Sequence, residues 1–145
     1  MYTTILTLHS WLRWVALIAG VIATLSALRG KADRPGLIFM ITLDIQMLLG
    51  LVMYLAVSPV MEAIRADFGA AMKDPAARFW AVEHITMMLG AVILAHVGRV
   101  LARKSATPES RNMKLFICFG IATVMMLLGM PWPGLRAGRP LFRIS

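Results

Sequence analysis

Cysteine is almost absent. The one thiol, Cys118, lies in the last apolar block, and a single thiol closes no internal disulfide, so no redox compartment can be read from it. Soluble-enzyme templates are missing too: the chain has no Gly-rich phosphate loop, no HExxH and no Ser-His-Asp order. Acidic residues are scarce, seven against fifteen Lys and Arg, for a net charge of +8. No basic-aromatic motif accompanies that excess, so nucleic acid is not an expected partner, and the charge is read as loops facing anionic lipid headgroups. The start, "MYTTILTLHSWLRW", lacks the early Lys or Arg of a signal peptide, and its apolar run continues to Leu28. It is expected to stay as a helix. No repeat or low-complexity tract interrupts the chain.

Apolar residues are what the chain has. They make up 59% of it, with a mean hydropathy of +0.76, where soluble domains have about 45–50%. They gather into four blocks, each near the ~20 residues that span a hydrocarbon core. Spanning backbone must satisfy its own hydrogen bonds, so the blocks are expected to be helices, at about 5–28, 37–58, 79–102 and 113–130. Short connections make sequential helices antiparallel. The expectation is one all-α domain over 1–145, an integral membrane, up-down four-helix bundle.

The connections are read in turn. "RGKADRPG" (29–36) ends the first helix, with Pro35 and Gly36 as breakers. "PVMEAIRADFGAAMKDPAAR" (59–78) is a polar linker whose first part places Val60, Ile64 and Phe68 on one side of a short surface helix. "RKSATPESRN" (103–112) is read as a loop. "PWPG" closes the last helix, and the basic, aromatic tail "LRAGRPLFRIS" is placed at the interface. Loop charge orients the bundle. Arg29, Lys31, Arg34, Arg99, Arg103, Lys104, Arg111 and Lys114 share one side; Arg65, Lys73, Arg78, Arg136, Arg139 and Arg143 share the other, with Arg13 near it. The bias puts both termini outside, on the periplasmic face of a bacterial inner membrane. Trp11, Trp14, Trp80 and Trp132 all fall at that same outer level, as an interfacial belt does or a site built from indoles.

Ionisable groups inside the apolar blocks fall into two layers. At ~1.5 Å per residue, His9, Arg13, Glu83 and His84 share an outer layer. Asp44 and His96 share an inner one. His84 and His96, twelve residues apart, are too distant to bind one metal together. Two imidazoles from different helices at matched depth can hold a haem iron axially. Arg13, Arg78, Arg136 and Arg139 supply cations for its propionates, and Glu83 is placed to fix a ligand's Nδ1 proton. A structural reading stands beside this one: Arg13 pairs with Glu83, and the two histidines hydrogen-bond between helices, which also removes the cost of burying them. For Asp44 and His96 the two readings are an interhelical pair and a proton-handling or quinone-binding pair. Gln46 is a further polar group able to donate across helices. The twelve methionines suit Cu(I), but those at 87–88 and 125–126 sit in apolar runs, where Met fills core space. Glycines at 20, 50, 90, 98, 120 and 129 are read as allowing close helix approach.

"LHSWLRWVALIAG", "QMLLGLVMYLAVSP", "AAMKDPAARFWAVEH" and "PWPGLRAGRPLFR" together resemble a group of small four-helix bacterial membrane proteins labelled cytochrome b or cytochrome b-like. The likeness covers nearly the whole chain, and "KDPAARFWAVEH" is its most specific part. It implies that His9 and His84 match the histidines of the group's "LHS" and "VEH" motifs, with Arg13, Arg78 and Glu83 as their neighbours. The chain departs from the pattern in helix two, reading "TLDIQ" with Asp44 where the group can carry a histidine. The expected function is a small electron-transfer protein binding haem b, exchanging electrons with quinone or a partner cytochrome. It would sit in the lipid bilayer, as a subunit of a respiratory or photosynthetic complex or as a homo-oligomer, without side-chain catalysis. A cofactor-free structural or assembly subunit is the alternative, and a proton-coupled carrier using Asp44 and His96 is the third.

Overall fold

The computed structural model of the protein describes residues 1–142; Arg143, counted above among the outer charges, lies outside them. Helix α1 spans Tyr2–Leu28 and α2 spans Asp33–Val52, continued by a π-helical turn, Met53–Val57. Three short helices follow, α3 (Pro59–Ala66), α4 (Phe68–Lys73) and α5 (Pro75–Arg78). A second π-helical turn, Phe79–Glu83, leads into α6 (His84–Arg103), and α7 is Pro108–Leu128. There is no strand among the described residues. Four helical stretches, Tyr2–Leu28, Asp33–Val57, Pro75–Arg103 and Pro108–Leu128, are long and apolar enough to cross a membrane. The chain is therefore a multi-pass, all-α membrane protein whose apolar helices suit a lipid bilayer.

Helix ends depart from the sequence expectation where polar residues are helical. Helix α2 starts at Asp33 rather than near residue 37. Pro35 and Gly36 do not break it, because they lie in the first turn, where a missing N–H costs nothing. Residues 108–112 are not loop. Thr107 caps α7, its hydroxyl accepting from the Ser110 N–H at 3.2 Å, with Pro108 at the first helical position. The surface helix of the linker is shorter than its apolar spacing implies. It breaks at Asp67 (φ −144°, ψ 82°), whose carboxylate accepts from the Ala70 N–H at 2.9 Å and starts α4. Met61 and Ile64 are buried against Ala71 and Ala81, while Phe68, beyond the break, is exposed.

The four long helices pack as a ring in the order α1, α2, α6, α7 and back to α1. This leaves α1 and α6 on one diagonal and α2 and α7 on the other. Small residues let the helices approach. Ala16, Ala19, Ala23 and Ala27 form a buried stripe on α1, matched by Ala91, Ala95 and Ala102 on α6. At Gly98, an added Cβ would lie 2.6 Å from Cys118 Cβ. In the half of the bundle away from the tryptophans, Phe39 of α2 and Phe119 of α7 meet across the axis, fully buried and edge-to-face at 5.6 Å. Large aliphatics such as Ile18, Leu25, Ile93 and Ile117 point outward, as a bilayer solvent permits.

Candidate functional site

The other half of the axis is occupied by imidazoles. His9 of α1 and His84 of α6 approach along their diagonal, ring centroids 6.3 Å apart and planes at 70°. A metal–imidazole bond is about 2.0 Å and the ring nitrogen lies about 1.2 Å from the ring centre, so two imidazoles bound to one metal ion from opposite sides have centroids about 6.4 Å apart. The centroid spacing is close to that distance, and it is also the spacing of two rings packed edge-to-face.

The tautomer of His84 is set by its neighbour. The Nδ1–H of His84 donates to the Gly129 carbonyl at 2.7 Å. A carbonyl only accepts, so Nε2 of His84 keeps a free lone pair. Gly129 caps the C-terminus of α7, where helix carbonyls lack intrahelical partners. Gln46 Nε2 donates to the His9 carbonyl at 2.8 Å and ties α2 to α1 at this depth. Three buried polar atoms here have no partner among the described residues: His9 Nδ1, Gln46 Oε1 and Arg13 Nε. Buried polar atoms are rarely left unpaired; two more, Arg99 Nε and Asn112 Oδ1, lie toward the other end of the bundle.

Two voids flank the pair. One, of about 90 Å³, lies between α2 and α6 and is bordered by Leu43, Met47, Gly50, Tyr54 and Met88. The other, of about 50 Å³, lies toward α1, α7 and the tail, against Ser10, Arg13, Met126, Met130 and Pro140. His9, Gln46, Trp80, His84, Met88 and Arg139 line both. The histidines occupy one diagonal, and the voids extend toward the helices of the other. Gly50 faces the His9 ring: a Cβ there would be in van der Waals contact with His9 Cε1 at 3.4 Å.

The cations separate into two groups. Arg13 is buried and its guanidinium donates to the Pro140 carbonyl at 3.1 Å and to that of Leu141. Trp14 Nε1 also donates to the Leu141 carbonyl, at 3.1 Å. Arg139 stacks over Trp80, 5.3 Å from the ring centre. These contacts fold the tail over the site. Arg78 and Arg136 are not part of it. Arg78 pairs with Glu83 at 2.9 Å, both half-exposed, and Arg136 joins them in a separate shallow groove. Two expectations are corrected: Glu83 does not fix the Nδ1 proton of His84, since Gly129 accepts it, and Arg13 pairs with tail carbonyls rather than with Glu83.

Sequence reasoning missed several residues. Gly129 reads only as a packing glycine; its position after the last apolar run is the available signal for a free carbonyl. Tyr54 went unnoticed. Its hydroxyl donates to the Ala81 carbonyl at 2.7 Å, joining the two π-helical turns, and Arg65 donates to the Tyr54 carbonyl at 2.8 Å. Such turns recur at functional sites, and the second leads directly into His84.

Asp44 and His96 pair with each other, Asp44 Oδ1 to His96 Nε2 at 2.8 Å, between α2 and α6. Neither lines the voids, although Leu43 and Gln46 of the same "TLDIQ" stretch do. Among the described residues no three His, Cys, Asp or Glu side chains converge on a metal position. No family model matches the chain, and neither a curated protein nor a solved structure matches it.

Proposed function

We propose that the protein is a small b-type cytochrome-like electron carrier holding haem b between His9 and His84. The observation that carries this reading is the diagonal imidazole pair at 6.3 Å, with the Nε2 of His84 left free by its tautomer and a void on each side. Haem would supply a one-electron couple. The chain's own residues do the rest. The Gly129 carbonyl orients His84. Gln46 holds the His9 backbone in register. Arg13 and Arg139 provide cations for propionate carboxylates, while Trp80 and the folded tail keep water out. Met47 and Met88 border the larger of the two voids, and their unbranched thioether chains can move to widen it. Electrons would pass to or from quinone or a partner cytochrome in a respiratory or photosynthetic complex of the bacterial inner membrane, with both termini periplasmic.

The small size of those voids favours a second reading, a cofactor-free structural or assembly subunit in which the polar layer only fixes helix register. The visible spectrum of protein purified from haem-replete cells separates the two. The cytochrome reading predicts a sharp Soret band and a reduced α band, both lost in His9→Ala and His84→Ala. A colourless wild-type preparation selects the structural role.

A further inference from the structure

The Asp44–His96 pair is on the outside of the bundle. Its side chains are 44% and 46% exposed, and Asp44 lies eleven residues into α2, about 16 Å along the helix and so within the hydrocarbon core. Polar groups at that depth almost always face the protein interior or a water-filled cavity. These face neither: they lie outside both voids of the imidazole layer, and their surroundings include exposed Ile41, Ile45, Leu48, Ile93 and Val97.

Lipid favours a pair with no net charge, and two proton arrangements satisfy that. A protonated Asp44 can donate to a neutral His96 at Nε2, or a His96 cation can donate from Nε2 to the carboxylate. In both, the ring presents an Nδ1–H donor, and in both the carboxyl group presents Oδ2 as an acceptor. Neither atom has another hydrogen bond among the described residues. The exposed pair thus offers one donor and one acceptor. An isologous two-fold contact requires that self-complementarity, because each copy must give what it receives.

We propose that the α2–α6 face is the interface of a homodimer in the membrane, with His96 Nδ1 of each copy donating to Asp44 Oδ2 of the other and the surrounding aliphatics packing around the two bonds. The inference does not depend on what occupies the imidazole layer. It places the larger void of each copy on the same side of the molecule as the contact.

Cysteine cross-linking of full-length protein in native membranes tests it. Leu48 is one turn from Asp44 and Ile93 one turn from His96, so each shares a face with the pair. Leu48→Cys and Ile93→Cys are expected to give disulfide-linked dimers on oxidation. Ile121→Cys, exposed on α7, and the wild type, whose one thiol is buried, are not. Single-molecule photobleaching in vesicles of neutral lipid gives the affinity. Interhelical hydrogen bonds weigh about threefold each in association, so the double variant Asp44→Leu with His96→Leu should dimerise about tenfold more weakly. A monomeric wild type would overturn the proposal, as would dimers linked through Ile121→Cys but not through the α2–α6 positions. Should the double variant fail to fold, the cross-linking and the wild-type photobleaching decide alone. Quinone or a different subunit co-purifying on this face of a monomeric chain also refutes it.

Discussion

At the scale of single residues, the site is built from atoms the sequence makes easy to see and atoms it hides. Three histidines in 145 residues, two of them at equal depth on separate spans, were visible from spacing alone. The atoms that complete the layer were not. Gly129 acts through its carbonyl, and main-chain groups carry no side-chain signature. It is also tightly placed: a Cβ there would lie 2.8 Å from Met87 Cβ and 2.6 Å from Met88 Cε. The Met88 methyl can move; the Met87 Cβ cannot without its helix. Gly129→Ala is therefore expected to lower stability by about 1–3 kcal/mol through overpacking, measured as a drop in melting temperature in detergent, together with weaker retention of any group bound at His84. Unchanged melting would mean that the end of α7 has room for a methyl group.

At the scale of elements, the four spans followed from hydropathy because each is longer than a bilayer needs. Their ends did not, because a helix that emerges into water no longer needs apolar residues. Asp33–Gly36 and Pro108–Asn112 are helical for reasons of capping and first-turn geometry, which hydropathy cannot see. Thr107→Ala should remove the cap of α7 and cost about 1 kcal/mol, read as faster amide exchange confined to the Pro108–Asn112 turn; uniform exchange would show that the cap is idle. The linker followed the same logic in reverse. Its apolar spacing pointed to Phe68, but Asp67 stops the helix first, and a residue favoured as a cap outweighs one apolar match. The π-helical turns had no sequence signal. Their junction rests on the hydroxyl of Tyr54, so Tyr54→Phe leaves the Ala81 carbonyl without that donor. The expected loss is about 1 kcal/mol, with faster amide exchange in Phe79–Glu83 and little change in α7.

At the scale of the whole molecule, the bundle divides its axis. Aromatic and alanine packing closes the Phe39–Phe119 half, and imidazoles and voids occupy the half under the tryptophans. Matched depth was legible because rise per residue is constant. The choice of diagonal was not, since it depends on how the helices rotate and which neighbours they take. The tail's role was also hidden: "LRAGRPLFRIS" reads as an interfacial segment, yet its Pro140 and Leu141 carbonyls hold Arg13 and Trp14. Deleting 136–145 should leave the Arg13 cation without those acceptors and expose the site. Iodide quenching of tryptophan fluorescence is then expected to increase and the melting temperature to fall. Quenching that stays at the wild-type level would show that the tail does not cover the site.

The central claim is that two imidazoles on diagonal helices bind one haem iron, and the most direct measurement is haem content per chain with the iron's ligation state. Protein purified from haem-replete cells is predicted to carry one haem b per chain, low-spin and six-coordinate in both oxidation states, with binding abolished in His9→Ala and in His84→Ala. Wild-type protein without haem, or haem retained at full stoichiometry and unchanged spin state in either variant, would contradict it.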